Sequence, residues 1–317
     1  MARAVCLGEL LVDMVSDTTD ASLAEATRFL KAPGGAPANV AVGLARLGIE
    51  TSFVGQVGDD PYGDWLRGIV EAENVDVSHL LTSRIARTTI AFVATRADGK
   101  KDICFYRNPG ADALLNSADL RPSLFDGANL FHCGSVSLSQ SPCREAQFRA
   151  ATMAFERGLL ISFDPNWRPS LWENFDEARR LIWQMISLSH IVKVADEEWE
   201  FITGTTDLEE GAAKIREAGP RLVVVTRGAE GAYYNSEFGS GEVPGLKVNA
   251  IDTLGAGDAF VAGLLSEVLH AASFDEFLTN NLDGAVRFAN ACGAFATQTA
   301  GAIPSLPRRE DTALLLR

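Results

Sequence analysis

Short apolar-rich runs alternate with stretches of helical periodicity along most of the chain. The runs lie at 4–7, 51–57, 129–133, 159–163, 190–194 and 222–226. Their length and character suit strands buried on both faces. Between them the apolar positions fall three and four residues apart: Val40, Leu44 and Leu47; Trp65, Ile69 and Val70; Leu181, Ile182 and Met185. A last long helical segment covers about 283–297. Strand and helix in alternation predict an α/β fold, with a mainly parallel sheet covered by helices on both faces.

One region breaks the rhythm. Residues 88–95 and 102–107 are β-rich, joined by Ala97-Asp98-Gly99-Lys100, with no helix between them. That is a hairpin pattern. Residues 11–15 and the extended chain before Pro33 can pair with it. The expectation is a single domain over 1–317 carrying a small antiparallel flap built from about 11–33 and 88–108. A flap beside a ligand site closes over substrate and excludes water; an ordinary edge hairpin has the same pattern. Both faces of the hairpin are apolar, Ile90 and Phe92 against Ala91 and Val93, Ile103 and Phe105 against Cys104 and Tyr106. Such strands need cover on both sides, which predicts a homodimer joined through the flap.

Composition narrows the partners. The net charge is −14, which argues against nucleic acid or an anionic membrane surface. A phosphate ligand would have to be attracted locally, by backbone N–H groups, a few Arg or a divalent metal. No uncharged apolar run approaches the ~20 residues of a membrane span. Glu9 and Asp13 interrupt the first apolar run, which reads as an opening strand. Five cysteines, at 6, 104, 133, 143 and 292, form no Cys-x-x-Cys. They suit buried free thiols in a reducing compartment, and the expected location is cytoplasmic.

The chemistry concentrates in residues 251–260, Ile-Asp-Thr-Leu-Gly-Ala-Gly-Asp-Ala-Phe. Gly255, Ala256 and Gly257 stand between Asp252 and Asp258, and an apolar helical stretch follows. A helix N-terminus attracts anions, so Asp258 is either a cap or a general base facing a bound phosphate. Gly34-Gly35-Ala36-Pro37-Ala38-Asn39 opens another helix, and its glycines permit close approach of a ligand. Gly55-Gln-Val-Gly58-Asp59-Asp60 with Gly63 reads first as a turn with Asp60 as helix N-cap. Asp13, after Gly8-Glu9, is expected at the end of the first strand, where ligands of parallel sheets bind. Asn166 and Arg168 follow the run at 159–163, and Arg107 leaves the flap. Thr226-Arg-Gly228-Ala-Glu-Gly231 either lines a nucleotide or joins two strands. Asp196, Glu197 and Glu198 either hold Mg²⁺ through water or are first-turn acids favoured by the helix dipole. There is no P-loop and no Gly-x-Ser-x-Gly elbow. His79, His132, His190 and His270 show no metal spacing. Phe260 stands where a dinucleotide fingerprint needs its third glycine.

Together these motifs resemble the ribokinase-like carbohydrate kinases, the PfkB family, over essentially the whole chain. Gly34–Asn39 with Gly55–Gly63 is similar to the first signature of that family, and Asp252–Asp258 to the second. Residues 105–112, 163–168 and 192–198 resemble fructokinase segments in particular. The resemblance implies a three-layer α/β/α sandwich with a small antiparallel β lid. It implies transfer of phosphate from ATP, with Mg²⁺, to D-fructose, giving fructose 6-phosphate. It makes Asp258 the general base and the N–H groups of Gly255, Ala256 and Gly257 an anion hole. Asp13, Gly34, Gly35, Asn39, Arg107, Asn166 and Arg168 match sugar-contacting positions. Lys193, Glu198, Thr226, Gly228, Gly231 and Asn290 match the nucleotide side, with Glu198 facing Mg²⁺ through water. Asp252, Gly301 and Ser305 resemble a monovalent-cation site suited to K⁺. Ala195 departs from the family pattern, which carries Asn there near the metal. Ribose, 2-keto-3-deoxygluconate or a nucleoside is the alternative acceptor. A nicotinamide-dependent oxidoreductase and a non-catalytic sugar sensor are more distant readings.

Overall fold

The computed structural model describes residues 2–18, 20–96 and 101–316. Nine strands form one sheet in the order β13-β12-β11-β10-β9-β8-β1-β4-β5. They are β1 (Arg3–Leu7), β4 (Glu50–Gly58), β5 (Asp76–Ser83), β8 (Leu130–Cys133), β9 (Leu160–Phe163), β10 (Ile191–Ala195), β11 (Leu222–Thr226), β12 (Gly231–Ser236) and β13 (Gly239–Pro244). From β5 through β11 every pairing is parallel, and β12 and β13 continue antiparallel. The six predicted strand runs all become central strands of this sheet, as near-continuous apolar composition requires. The edge strand β5 escapes pattern reading because it alternates exposed and half-buried residues with few buried ones.

Two apolar layers cover the sheet, one on each face. The first includes α1 (Ala36–Arg46), α2 (Pro61–Ala72), α7 (Ala256–His270) and α9 (Leu282–Ala296). The second includes α3 (Cys143–Glu156), α4 (Phe175–Ile186), α5 (Asp196–Thr203) and α6 (Leu208–Glu217). This is the three-layer α/β/α arrangement. Among the described residues no helix is long and apolar enough to cross a membrane.

A separate four-stranded sheet has the order β3-β2-β6-β7, with β2 (Leu11–Ser16), β3 (Phe29–Gly34), β6 (Ile90–Thr95) and β7 (Lys101–Tyr106). β6 and β7 pair antiparallel, as the hairpin pattern predicts. The tip at 97–100 lies outside the described residues. β2 and β6 are parallel, so the flap is mixed rather than wholly antiparallel. Its register puts Asp13, Ala91 and Phe105 side by side on one face, with Val93, Ile103 and Lys101 further along it. Asp60 caps α2, accepting from Tyr62 N–H and Gly63 N–H at 3.0 Å each. The same carboxylate takes the N–H and hydroxyl of Thr88, at 2.8 and 2.9 Å, and so anchors the chain entering β6.

The strand order reverses at β1. The chain runs from β1 to β4 and β5 on one side and later to β8, β9, β10 and β11 on the other. In such sheets ligands bind outside the carboxyl ends of strands flanking the reversal. The flap stems from that end, since β2 leaves β1 after only Gly8, Glu9 and Leu10.

Candidate active site

Asp258 stands in the first turn of α7, 7% exposed, and its Oδ2 accepts from Asn39 Nδ2 at 2.7 Å. The two motifs, 219 positions apart, therefore meet in one hydrogen bond. Gly255 precedes the helix with φ of 79°, a left-handed turn that favours glycine. The N–H of Ala256 bonds weakly back to Thr253 O at 3.3 Å. The N–H groups of Gly257 and Asp258 find no acceptor among the described residues, as at the start of any helix. A carboxylate and two free amides thus share one turn. Burial pushes Asp258 up to about 6. The Asn39 hydrogen bond opposes the shift, Asp164 adds to it, and Lys193 and Arg168 reduce it.

Asp13, also 7% exposed, lies across Gly34. A Cβ on Gly34 would fall 1.9 Å from Asp13 Oδ2, so only glycine admits the carboxylate. Burial pushes Asp13 up to about 7; Lys101 and Arg168 pull it down, and Asp258 and Asp252 add to the rise. Asp13, Asp252, Asp258, Arg168 and Lys101 therefore form one charge cluster between the flap and the sheet. Lys101 was not among the residues singled out from sequence. Its signal is strand alternation: it shares a flap face with Asp13, which only the register reveals.

Asp252 organises the turn before α7. Its Oδ1 accepts from Leu254 N–H and its Oδ2 from Gly301 N–H, each at 2.9 Å. Ser305 is buried, its hydroxyl donating to Ala302 O at 2.8 Å. Of the residues expected from sequence to hold a monovalent cation, Asp252 and Gly301 thus meet in a hydrogen bond, while the Ser305 hydroxyl bonds within its own turn.

The loop after β9 is pinned from beneath. Lys193 Nζ on β10 donates to Asp164 Oδ2 at 3.1 Å, both side chains buried. Asp164 Oδ1 accepts from Asn166 N–H at 3.2 Å, and Asn166 has φ of 43°. Glu198 Oε2 accepts from Trp167 N–H at 2.6 Å and Oε1 from Ala195 N–H at 3.0 Å. Trp167 stacks on Phe201 with centroids 3.8 Å apart. Asn166 and Arg168 are presented by this fixture. Asp164 was missed from sequence, although it directly follows the apolar strand β9; Asp13, expected at a strand end of the parallel sheet, lies instead inside β2 of the flap.

Arg107 directly follows β7. It is buried, with Nε donating to Asp112 Oδ2 at 2.7 Å and Nη1 to Ser139 Oγ at 2.9 Å. Its Nη2 has no partner among the described residues, and neither has Oε2 of the buried Glu9. Burial, together with the Asp112 charge, raises Glu9 to about 7, against the N–H of Ala36 and the Arg107 charge.

On the other side of the sheet, Thr226 ends β11, and a tight 3-10 turn containing Gly228 leads to Gly231 on β12. Asn290 on α9 donates to Val243 O at 3.1 Å and Pro244 O at 3.3 Å. Beside it a cleft of about 500 Å³ opens between β13 and α9, lined by Val243, Pro244, Leu246, Asp283 and Arg287 among others.

A family model described as pfkB family carbohydrate kinase matches residues 1–309. Fructokinase-1 of Oryza sativa subsp. japonica is 44% identical over 313 residues, 98% of this chain and 97% of that protein. The crystal structure of a fructokinase from Vibrio cholerae O395, bound to fructose, ADP and calcium ion, aligns with a TM-score of 0.89 and 35% identity. It covers 100% of this chain and 99% of its own. An aminoimidazole riboside kinase from Salmonella enterica, complexed with aminoimidazole riboside and an ATP analog, aligns at 0.86 and 32% identity, covering 99% and 100%.

Proposed function

The chain belongs to the pfkB family of carbohydrate kinases, and from that premise we propose that it transfers the γ-phosphoryl group of MgATP to D-fructose, giving fructose 6-phosphate and ADP. The observation that carries the reading is the Asn39–Asp258 hydrogen bond, which puts a buried carboxylate beside the open N–H groups of a helix start. In the reaction, Asp258 takes the proton of the attacking hydroxyl as its oxygen bonds to the γ-phosphorus. The bond to the β–γ bridging oxygen breaks, and its electron pair leaves with ADP. Such a transfer needs positioning and charge stabilisation more than covalent help, and preorganised amides supply both. Asp13, Asn39, Asn166 and Arg168 hold the sugar hydroxyls.

The nucleotide lies along the carboxyl ends of β10 and β11, past Thr226 and Gly228. Its base reaches the cleft between β13 and α9, where Val243, Pro244 and Leu246 offer apolar cover. Among the described residues no cluster of three or more His, Cys, Asp or Glu side chains can hold a metal ion. Both Glu198 oxygens already accept backbone N–H groups. This fits Mg²⁺ carried on the phosphates and keeping its waters, with Glu198 and Asp196 meeting it through water. The bound metal neutralises phosphate charge. A monovalent cation such as K⁺ suits the Asp252 turn, with Gly301 and Ser305 beside it.

A coupled ADP-release screen across fructose, ribose, 2-keto-3-deoxygluconate, mannose and adenosine tests the acceptor. Fructose is expected to lead in kcat/KM by at least about tenfold, the discrimination a few pocket contacts supply. A nucleoside lead would transfer the reading to the class of the aminoimidazole riboside kinase, whose structure aligns nearly as well. We also infer a homodimer through the flap. Phe29, Phe92 and Tyr106 form an edge-to-face aromatic ladder across its strands, and Tyr106 is 67% exposed. Sedimentation at micromolar concentration should give twice the chain mass; a monomer would sink this part of the proposal.

A further inference from the structure

The first turn of α1 carries Asn39, yet the residue placed to cap that turn has no side chain. Gly35 is the N-cap, with φ of 109°. A Cβ there would fall 2.3 Å from the carbonyl oxygen of Glu9, so position 35 admits only glycine. The cap comes from another part of the chain instead. Glu9 is 3% exposed in the short link between β1 and β2, and its Oε1 accepts from Ala36 N–H at 2.9 Å. An acceptor on a first-turn N–H fixes a helix start. Pro37 packs beside it over Gly8, where a Cβ would fall 2.4 Å from Pro37 Cγ. The same turn sends Asn39 Nδ2 to Asp258 Oδ2 at 2.7 Å. Burying an acid to satisfy one N–H costs desolvation that a solvated helix start avoids. The reason for Glu9 therefore lies in what the turn presents. Its Oε2 has no partner among the described residues, so the cap is the contact through which it acts.

We propose that Glu9 is a positioning residue for phosphoryl transfer, fixing the start of α1 so that Asn39 stays on Asp258. The inference rests on the kinase reading above. Glu9 touches neither the acceptor nor the phosphoryl group; it acts through Ala36 and Asn39. The Asn39 bond lowers the pKa of Asp258 against the rise that burial causes. A loosened α1 therefore leaves the base more protonated at a given pH. Asp164, Lys193, Arg168, Asp13 and Lys101 also face Asp258 and remain when Glu9 is replaced. The groups facing Glu9 itself are Arg107, Asp112 and Cys143. Deleting the Glu9 charge alone would lower the Asp258 pKa, as removal of any nearby negative charge does. Loosening Asn39 raises it. The two effects differ in sign, so the Asp258 titration separates them.

The test compares the parent with Glu9→Ala, Glu9→Gln, Asn39→Ala and the double variant Glu9→Ala/Asn39→Ala. The readouts are kcat/KM for fructose, MgADP affinity, and the titration of Asp258 in the free enzyme. Carbon NMR of labelled carboxyl groups follows that titration, with Asp258→Asn assigning the signal. Glu9→Ala is expected to lose about 10–100-fold in kcat/KM, the scale of a small misplacement at a reacting centre. Its MgADP affinity should stay within about threefold. Its Asp258 should titrate above the parent's value of about 6. Glu9→Gln keeps an acceptor for Ala36 N–H, so it should recover most of the rate and titrate at or slightly below the parent. In the Asn39→Ala background, adding Glu9→Ala should cost less than about threefold more, because residues acting through one contact are not additive. If Glu9→Ala fails to fold, Glu9→Asp, one methylene short of Ala36 N–H, takes its place. A kcat/KM within about threefold of the parent overturns the proposal. So does an Asp258 titration that stays or moves down in Glu9→Ala, or an equal loss with and without Asn39. The NMR readout needs no turnover. If Asp258→Asn stays active the kinase reading fails, while the titration still decides whether Glu9 holds Asn39 on Asp258. If Asp258→Asn is inactive and the Glu9 variants turn over normally, only the Glu9 role fails.

Discussion

Asp258→Asn is expected to lower kcat by about 10²–10⁴-fold, the usual contribution of a positioned general base, with the affinity for MgATP nearly unchanged. The amide keeps the shape of the carboxylate and can still accept from Asn39, whose Nδ2 now lies 2.7 Å from Asp258 Oδ2. It cannot take a proton. Removing a negative charge from the first turn of α7 also favours an anion there, so nucleotide binding has no reason to weaken. The pH profile gives a second check. Asp258 is raised to about 6, so the parent holds the base protonated below that value and ionised above it. In kcat/KM, which reports the free enzyme, activity should fall as pH drops through about 6, and the variant should lack that limb. The parent's limb is broad, because Asp13, raised to about 7, titrates in the same cluster. Rate measurements from pH 5 to 9 decide. Near-normal turnover by the variant removes Asp258 from the base role.

The sequence was most legible where one physical rule dominated. Central strands of a parallel sheet are apolar on both faces, so the runs at 129–133, 159–163 and 222–226 stand out, whereas the half-exposed β5 and the short β12 and β13 do not. The helix cap at Asp60 was legible because its chemistry is local. Contacts across the fold were not. That Asn39 bonds Asp258, or that Lys101 shares a face with Asp13, depends on register and crossovers that no single segment encodes. Asp164 escaped notice because its partner, Lys193, is 29 positions away on the neighbouring strand. Arg107 shows the opposite difficulty. Its place at the end of the flap suggested a free arm, but Asp112 and Ser139 hold two of its nitrogens in a buried setting, with one nitrogen left open. Motif spacing reported which residues were special, and topology decided which of them meet.

Asp13→Ala is expected to lower kcat/KM for fructose by about 10²–10³-fold. A buried carboxylate accepting from two sugar hydroxyls makes charge-assisted bonds of about 1.5–3 kcal/mol each, and every 1.4 kcal/mol is about tenfold in affinity. Water entering the vacated space recovers part of that, which keeps the loss below the simple sum. The KM for MgATP should stay within about threefold, because Asp13 belongs to the flap sheet, away from the nucleotide path proposed along β10 and β11. Equal weakening of both substrates would mean that Asp13 shapes the cleft rather than binding sugar. Stability separates the two explanations again. The Asp13 pKa rises from 3.8 to about 7 on folding. Its carboxyl therefore favours the folded state fully below 3.8, and that contribution is gone once pH passes about 7. At pH 8 the ionised group is a cost to the unliganded protein, so Asp13→Ala should melt no lower than the parent there. Gly34, which leaves room for the carboxylate, raises no clash with the smaller side chain. A protein that gains or keeps thermal stability while losing fructose by two orders of magnitude has lost a ligand contact. One that melts several degrees lower at pH 8 has lost a structural residue, and the sugar-binding role of Asp13 would fall with it.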